Sequence, residues 1–386
     1  MWAEVSAQRP PHPAPPQGPL DPGWRAAALG AQSLALPGGH VSVSCPAPLG
    51  VGGLGRHLEE IAEALQRRGD GAADIFDLAL EPSAGSPPQA PARPRAIDVV
   101  APLARFSPAW RMWLGSRSFD ASAARLLPRG GHLIAFNGTA LTQLAGARRA
   151  GLESASLMSA NSHMRMVLRQ HDRAHRAYPV ERPWATHLLA RNLREYAAAD
   201  RIHVASRYVW ESFIEQGVPE ERLSMFPLTP HPRFRPAERS PAAETFDVVY
   251  VGSLQVHKGV PLLLDAFSRL AHADMRLVLV GGWKTRGMRR LLEDSRAHDP
   301  RIVVAPGDAL PRLQGAGVCV HPAYEDGFAY APAEALACGV PVIVSEDTGM
   351  KELLEPGRTG VIVPTGERDA LVEALEAAYR GELLGG

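Results

Sequence analysis

The chain has 386 residues, 45% of them hydrophobic and 21% charged, a composition that suits a globular protein with two or three domains' worth of core. Lysine plus arginine equals aspartate plus glutamate, at 41 each, so the overall charge gives no case for bulk nucleic-acid binding. The three cysteines form no C-x-x-C pair and exclude a disulfide framework, no run of 18 apolar residues predicts a spanning helix, and the N-terminus lacks a basic-then-apolar leader, so a cytoplasmic location is expected.

Residues 1–38 are rich in Pro, Ala and Gly and are predicted to be a flexible extension without a folded role. Structure is expected to begin at "HVSVSC" (His40 to Cys45), whose alternation suits a strand. The loop "PAPLGVGGLG" follows, and then an amphipathic helix with Leu58, Ile61, Ala62 and Leu65 on its apolar face, stopped at Gly69–Gly71. A second Pro/Gly loop is predicted over 81–95. Apolar segments at "HLIAFN", "ESASLMS" and "RIHVAS" alternate with helical stretches and predict a mostly parallel sheet. The basic run from His163 to Arg176 reads as a solvated helix face, with an acceptor, phosphate or membrane-surface contact as the alternative. A proline-rich, aperiodic stretch at 229–245 reads as an interdomain linker, dividing an N-terminal domain at 39–228 from a C-terminal domain at 246–386.

Beyond the linker the alternation is regular. "FDVVYVGSL", "RLVLVGG", "RIVVAP", "VCVHP", "VPVIVS" and "GVIVP" predict six strands, with a helix after each, "MKELLEPG" among them. The fold class expected is α/β, with two Rossmann-like doubly wound domains facing each other across a cleft.

Ligands of open α/β sheets bind beyond the carboxyl ends of the strands, and the polar and glycine motifs fall there. Gly50, Gly52, Gly53 and Gly55 would let backbone amides at a helix start approach an anion. The spacing is not that of a dinucleotide fingerprint. Lys258, in "VGSLQVHKG", follows a strand and suits a phosphate. In "AYEDGFAYAPAEALACG", Pro332 fits the first turn of a helix and Gly339 the position past its end, which puts Glu334 near the cleft mouth. The amides around Gly327, Phe328 and Ala329 are expected to be free for an anion. Asp326 and Glu334 accept hydrogen bonds only and would repel phosphate, so they should hold hydroxyl groups. Hydroxyls at both ends of a diphosphate describe a nucleotide sugar.

At these residues the sequence resembles the retaining glycosyltransferases of family 4, of the GT-B fold. The resemblance rests on "DGFAYAPAEALACGVPVIVS", is close over 246–380, and is looser over 40–235 through "GGLGRHL" and "EYAAADRIHVASRYVWESFIEQGVPEERL". It implies that Asp326 binds the donor sugar's hydroxyls, Glu334 the ribose, and the amides of Phe328 and Ala329 the sugar or diphosphate. It implies that Lys258 neutralises the diphosphate and that the Gly52–Gly53 loop closes over it. It also implies a histidine aimed at the donor sugar; His163 is the first candidate, with His57 and His132 behind it. Ser253 stands where the family often has an arginine, leaving Arg56 or Arg286 to supply a second cation. Ala329 replaces the second glycine of Gly-Phe-Gly, Asp326 replaces the commoner glutamate, and the chain ends soon after "EALEAAYRG".

The resemblance implies transfer of a sugar from a nucleotide-sugar donor to the hydroxyl of a glycan or lipid-linked acceptor. It implies retention and no metal or other cofactor; the balanced charge argues for no nucleic-acid partner, and without a spanning helix any contact with the inner membrane face would be peripheral. The competing expectations are a GT-B scaffold that binds nucleotide without turnover, motivated by Ser253 and the chain's end, and a glycoside hydrolase using Asp326 and Glu334 as its carboxylate pair. The hydrolase leaves Lys258 and the glycine loops unexplained.

Overall fold

The computed structural model describes residues 22–69, 73–77, 108–181, 188–238 and 244–383. Residues 1–21 of the expected extension, the loop expected at 81–95, and part of the expected linker (239–243) lie outside the described residues.

The N-terminal domain is built on β1 (Val41–Ser44), β2 (Ala73–Phe76), β3 (His132–Phe136), β4 (Ser154–Ser159), β5 (Ile202–Val204) and β6 (Leu223–Met225). They form one sheet in the order β2-β1-β3-β4-β5-β6, parallel throughout. The helices described here are α1 (Pro22–Ala35), α2 (Gly52–Arg68), α3 (Pro108–Ala124), α4 (Leu141–Ala150), α5 (Met164–Ala177), α6 (Leu189–Ala198) and α7 (Arg207–Ile214). β1 is buried at all four positions, as expected for a central parallel strand covered on both faces.

The C-terminal domain carries the six expected strands: β7 (Phe246–Val251), β8 (Met275–Val280), β9 (Ile302–Val304), β10 (Val318–His321), β11 (Val342–Ser345) and β12 (Gly360–Val363). Their order, β12-β11-β10-β7-β8-β9, reverses direction between β7 and β10. That is the topological switch point, where the loops leaving two neighbouring strands diverge and open a crevice. Helices α8 (Val260–Phe267), α9 (Arg286–His298), α10 (Leu310–Gln314), α11 (Tyr330–Ala337) and α12 (Arg368–Arg380) connect or follow the strands. The helix expected at "MKELLEPG" is a single 3-10 segment, Gly349–Leu353.

Two expectations are corrected. The segment 1–38 is not wholly an extension, because α1 packs on α2. Gln32 on α1 is fully buried and donates to Glu60 Oε2 at 2.8 Å and to the Pro227 carbonyl at 2.6 Å, while Ala28 and Leu36 are buried beside it. Within the expected linker Phe234 is buried, in one apolar cluster with Phe226 and Leu228 just before it, which runs from β1 and α2 to β10 and β11. The basic run 163–176 is α5, which lies along the other domain. Gln170 Nε2 donates to Asp347 Oδ2 at 2.8 Å, Arg173 pairs with Glu367 at 3.3 Å, and the ring of His171 stacks on that of His257 at 4.1 Å. Arg165, Arg169 and Arg176 keep the outward face of the helix.

Further contacts close the two domains together. Glu325 is buried and accepts from the Ser162 amide at 2.9 Å and from Asn161 Nδ2 at 3.2 Å. Ser206 Oγ donates to the Gly327 carbonyl at 2.6 Å. Glu352 accepts from the amides of Arg207 and Tyr208, at 2.8 and 2.6 Å, and so caps the start of α7 from the opposite domain.

Candidate active site

The site gathers at the switch point of the second sheet. Lys258 stands in the loop after β7, and its position is set by Gly259, which turns the chain at φ +75° with its α-carbon pressed on the Pro322 carbonyl. A β-carbon there would overlap that oxygen, so only glycine brings this loop against the end of β10. The Lys258 ammonium then reaches Asp326 Oδ2 at 2.7 Å and the Glu325 carbonyl at 3.2 Å.

Asp326 follows β10, and its four acceptor positions are taken. Oδ2 receives Lys258 and His321 Nε2, the latter at 3.1 Å; Oδ1 receives the Ala329 amide at 3.0 Å and the Phe328 amide at 3.4 Å. Burial alone would raise the pKa of this carboxyl, but the Lys258 charge and the His321 hydrogen bond outweigh it and hold the group ionised well below the usual carboxylate range. Lys258 is held protonated in return: burial opposes its charge, and Asp326 and Glu325 more than restore it.

The amides of Phe328 and Ala329 are therefore not free, contrary to expectation. The short side chain of Asp326 folds back onto its own loop and occupies them, as aspartate does in turns. Ala329 bears the strain of that turn. Its φ of +68° makes it the one left-handed non-glycine residue among those described. Gly327 packs against Ala160 and Asn161 of the N-terminal domain, so its backbone serves the domain contact.

Glu334 lies on α11, buried, and pairs with Arg56 of α2. Burial raises its pKa, and the Arg56 charge works against that rise. The bracketing of α11 is as the sequence predicts, with Pro332 in its first turn and Gly339 left-handed after its end. Of the two candidate second cations, Arg56 is at the site, whereas Arg286 is exposed at the first residue of α9.

Gly52 and Gly53 open α2, which has no side-chain cap, and a β-carbon at either would meet nothing within 4 Å. Both glycines are exposed, and the first amides of this 17-residue helix have no side-chain acceptor, a favourable setting for an anion. Ser253 is exposed at the end of β7, and its carbonyl accepts from Tyr250 Oη at 2.9 Å.

Two of the three histidine expectations, His57 and His132, are corrected, whereas His163 follows β4 at the carboxyl edge of its sheet. His163 is the N-cap of α5: its Nδ1 accepts from the Arg165 amide at 3.3 Å, and its ring packs on Tyr196 and Phe213 at 4.9 and 5.1 Å. It is 3% exposed, and burial lowers its pKa to about 4, so the ring is neutral; it directly follows Ser162, whose amide bonds Glu325 next to Asp326. His57 is buried between Phe136 and Phe226. His132 opens β3 at the amino edge of the sheet, bonded to Ser154 Oγ at 2.8 Å, away from the carboxyl edge where ligands bind. The histidine that bonds the site carboxylate is His321, which sequence reasoning left as the last residue of a strand. The position at the carboxyl end of β10 was the available signal.

Comparison with known proteins agrees with this geometry. Glycosyltransferase Family 4 matches residues 51–228, and Glycosyl transferases group 1 matches residues 245–380. A D-inositol 3-phosphate glycosyltransferase of Pseudarthrobacter chlorophenolicus is 30% identical over 164 residues, 38% of this chain and 39% of that protein. The capsular polysaccharide biosynthesis glycosyltransferase CapM of Staphylococcus aureus is 27% identical over 149 residues, 36% of this chain and 38% of that protein. The matched stretch spans about two fifths of these relatives' length. Among solved structures, a sucrose-phosphate synthase from Thermosynechococcus elongatus superposes with a TM-score of 0.70 at 20% identity, covering 89% of this chain and 90% of that one. HepE of Anabaena in complex with UDP-glucose superposes with a TM-score of 0.58 at 16% identity, covering 89% and 90%. Two parallel-sheet domains, the acid-glycine motif at the switch point and both family matches converge: the chain belongs to glycosyltransferase family 4 and has the GT-B fold.

Proposed function

We propose that this protein transfers a sugar from a nucleotide-sugar donor to an acceptor hydroxyl, with retention at the anomeric carbon and without a metal. The observation that carries the reading is the Lys258–Asp326 pair at the switch point, a cation and a hydroxyl-accepting carboxylate held 2.7 Å apart. A donor brings a diphosphate and several hydroxyls. The diphosphate competes for Lys258, and a sugar hydroxyl takes the place the ammonium leaves on Asp326. Glu334 receives the ribose hydroxyls, and the open amides of Gly52 and Gly53 receive phosphate oxygens.

In the reaction the bond from the anomeric carbon to the diphosphate oxygen breaks, and the acceptor oxygen bonds to the same face of that carbon. The acceptor proton passes to the departing phosphate oxygen. Charge builds on the diphosphate, and Lys258 and the helix amides stabilise it. No protein nucleophile is needed. The HepE complex with UDP-glucose and the polysaccharide role in the name of CapM support a nucleotide-sugar donor and a glycan acceptor; a lipid-linked acceptor rests on the family resemblance alone. No helix among the described residues is long and apolar enough to cross a membrane, and any membrane contact proposed is peripheral, through the outward arginines of α5.

The test is a panel of UDP-, GDP-, ADP- and dTDP-sugars followed by NMR, with chelator present and pooled glycan and lipid acceptors. Consumption of one donor by the wild type, lost in Glu334→Ala, with the donor's anomeric configuration in the product, is expected. Nucleotide binding with no turnover of any donor would replace the reading with a nucleotide-binding scaffold.

A further inference from the structure

Two residue pairs on α2 and α11 meet rung for rung across the domain boundary. Arg56 and Glu60 lie one turn apart on α2, and Tyr330 and Glu334 lie one turn apart on α11. Arg56 pairs with Glu334 while its guanidinium lies 4.4 Å from the centre of the Tyr330 ring. Tyr330 Oη donates to Glu60 Oε1 at 2.7 Å.

The two rungs differ in how firmly they are tied. Glu60 Oε2 also accepts from Gln32 Nε2 and from the amide and hydroxyl of Thr229, at 2.8, 2.9 and 3.1 Å. Glu60 thus has four donors and takes no hydrogen bond from Arg56 among the described residues. The Glu334 carboxylate has no hydrogen bond besides that from Arg56 among the described residues. Arg56 is itself anchored through that one pair and the two aromatic faces of Tyr330 and Phe234. A guanidinium stacked on a ring slides across it at small cost, because the attraction to the ring face is diffuse.

Arg56 also stands four residues from Gly52, one turn behind the open amides of α2. Lys258 brings one positive charge, while a diphosphate in ester linkage brings two negative ones. Glu334 in turn is the carboxylate that ribose hydroxyls would claim.

We propose that Arg56 is a second diphosphate-binding residue, held on Glu334 until a nucleotide enters and then transferred to the diphosphate as the ribose hydroxyls take its place. Each acid of the site thus shelters one cation, Asp326 with Lys258 and Glu334 with Arg56, and the donor exchanges both partners at once. The inference rests on the donor reading above and adds to it a named residue and a direction of movement.

Calorimetry on the full chain tests it, with UDP, GDP, ADP and dTDP each set against its nucleoside, and with inorganic pyrophosphate alone. For the wild type, one diphosphate should bind tighter than its nucleoside. In Arg56→Gln that advantage should shrink at least about tenfold, with nucleoside affinity kept or raised. In Glu334→Gln, which releases Arg56, pyrophosphate should bind severalfold tighter than to the wild type. A purely structural ion pair predicts otherwise: both variants weaken nucleoside and diphosphate alike, or neither changes the ratio, and either result overturns the proposal alone. A wild type that binds none of the four diphosphates overturns the donor reading, and this inference with it. Arg56→Lys, which keeps the point charge, serves where Arg56→Gln does not fold, and is expected to retain part of the diphosphate advantage; an undiminished advantage in it and pyrophosphate binding unchanged in Glu334→Gln would also sink the proposal.

Discussion

Gly327 and Ala160 meet backbone to backbone across the domain boundary, with no room for a β-carbon between them. Closure of the two domains therefore depends on a hydrogen atom at that position. Gly327→Ala is expected to hold the domains apart by the width of a methyl group, and a displacement of about 1 Å at a reacting centre can cost roughly 100-fold in rate. Small-angle scattering should record a larger radius of gyration, and donor turnover should fall by that order. An unchanged radius would show that the loop, rather than the domain contact, absorbs the methyl.

Lys258→Ala leaves Asp326 charged without its cation. Breaking such a pair is expected to cost on the order of 3 kcal/mol and to lower turnover about 100- to 1000-fold. The pH dependence follows in sign. A carboxyl with a depressed folded-state pKa stabilises the protein above its unfolded value, near 4, and the contribution is lost as pH falls through the folded value. The wild type should therefore keep the pair at pH 4, while the variant should already gain from protonation there. Urea unfolding at pH 7 and pH 4 should show the gap between the two proteins narrowing at the lower pH.

Ala329→Gly relieves a left-handed alanine in the loop that Asp326 organises. A gain of about 0.5–1 kcal/mol is expected, after the greater freedom of glycine in the unfolded chain is set against the strain removed. Urea midpoints compare the two proteins directly, and a loss of stability would mean that the Ala329 methyl contributes more by packing than its backbone loses.

Five buried histidines set the acid limit. Burial lowers His57 and His171 to about 3, His163 and His203 to about 4, and His257 well below its usual value. Groups depressed in the folded state stabilise it above the unfolded value of about 6.5, and that stability is lost as pH falls toward the folded values. The thermal midpoint should fall steadily from pH 6.5 to 4. Replacing His203 by Phe should flatten the slope, and an equally steep slope in that variant would assign the acid limit to other groups.

Much of the C-terminal half was legible because each of its six strands is a short apolar run bounded by glycine, proline or charge, and a parallel strand buried on both faces leaves that trace. The Pro332–Gly339 bracket placed α11 for the same reason: capping is local. Lys258, Asp326 and Glu334 were found through spacing and strand ends. What stayed hidden depends on partners distant in sequence. The buried positions Ala28 and Gln32 of α1, with Leu36 just past its end, fall at four-residue steps, but a glutamine in the middle breaks the apolar signal, and only Glu60 and Pro227 explain why it is buried. His163 carries the chemistry of a site residue and serves as a helix cap. Glu325 reads as a neighbour of the motif acid, yet its carboxylate joins the two domains through Ser162 and Asn161.

The cap that Glu352 places on α7 gives domain opening a local cost. When the halves part, the amides of Arg207 and Tyr208 lose their acceptor, and the first turn of α7 keeps only the Ser206 cap on the Val209 amide. Swinging open and partial unwinding then become one event. The closed form is favoured by the integrity of α7, and the exchange of two backbone protons with solvent would count how often the protein opens.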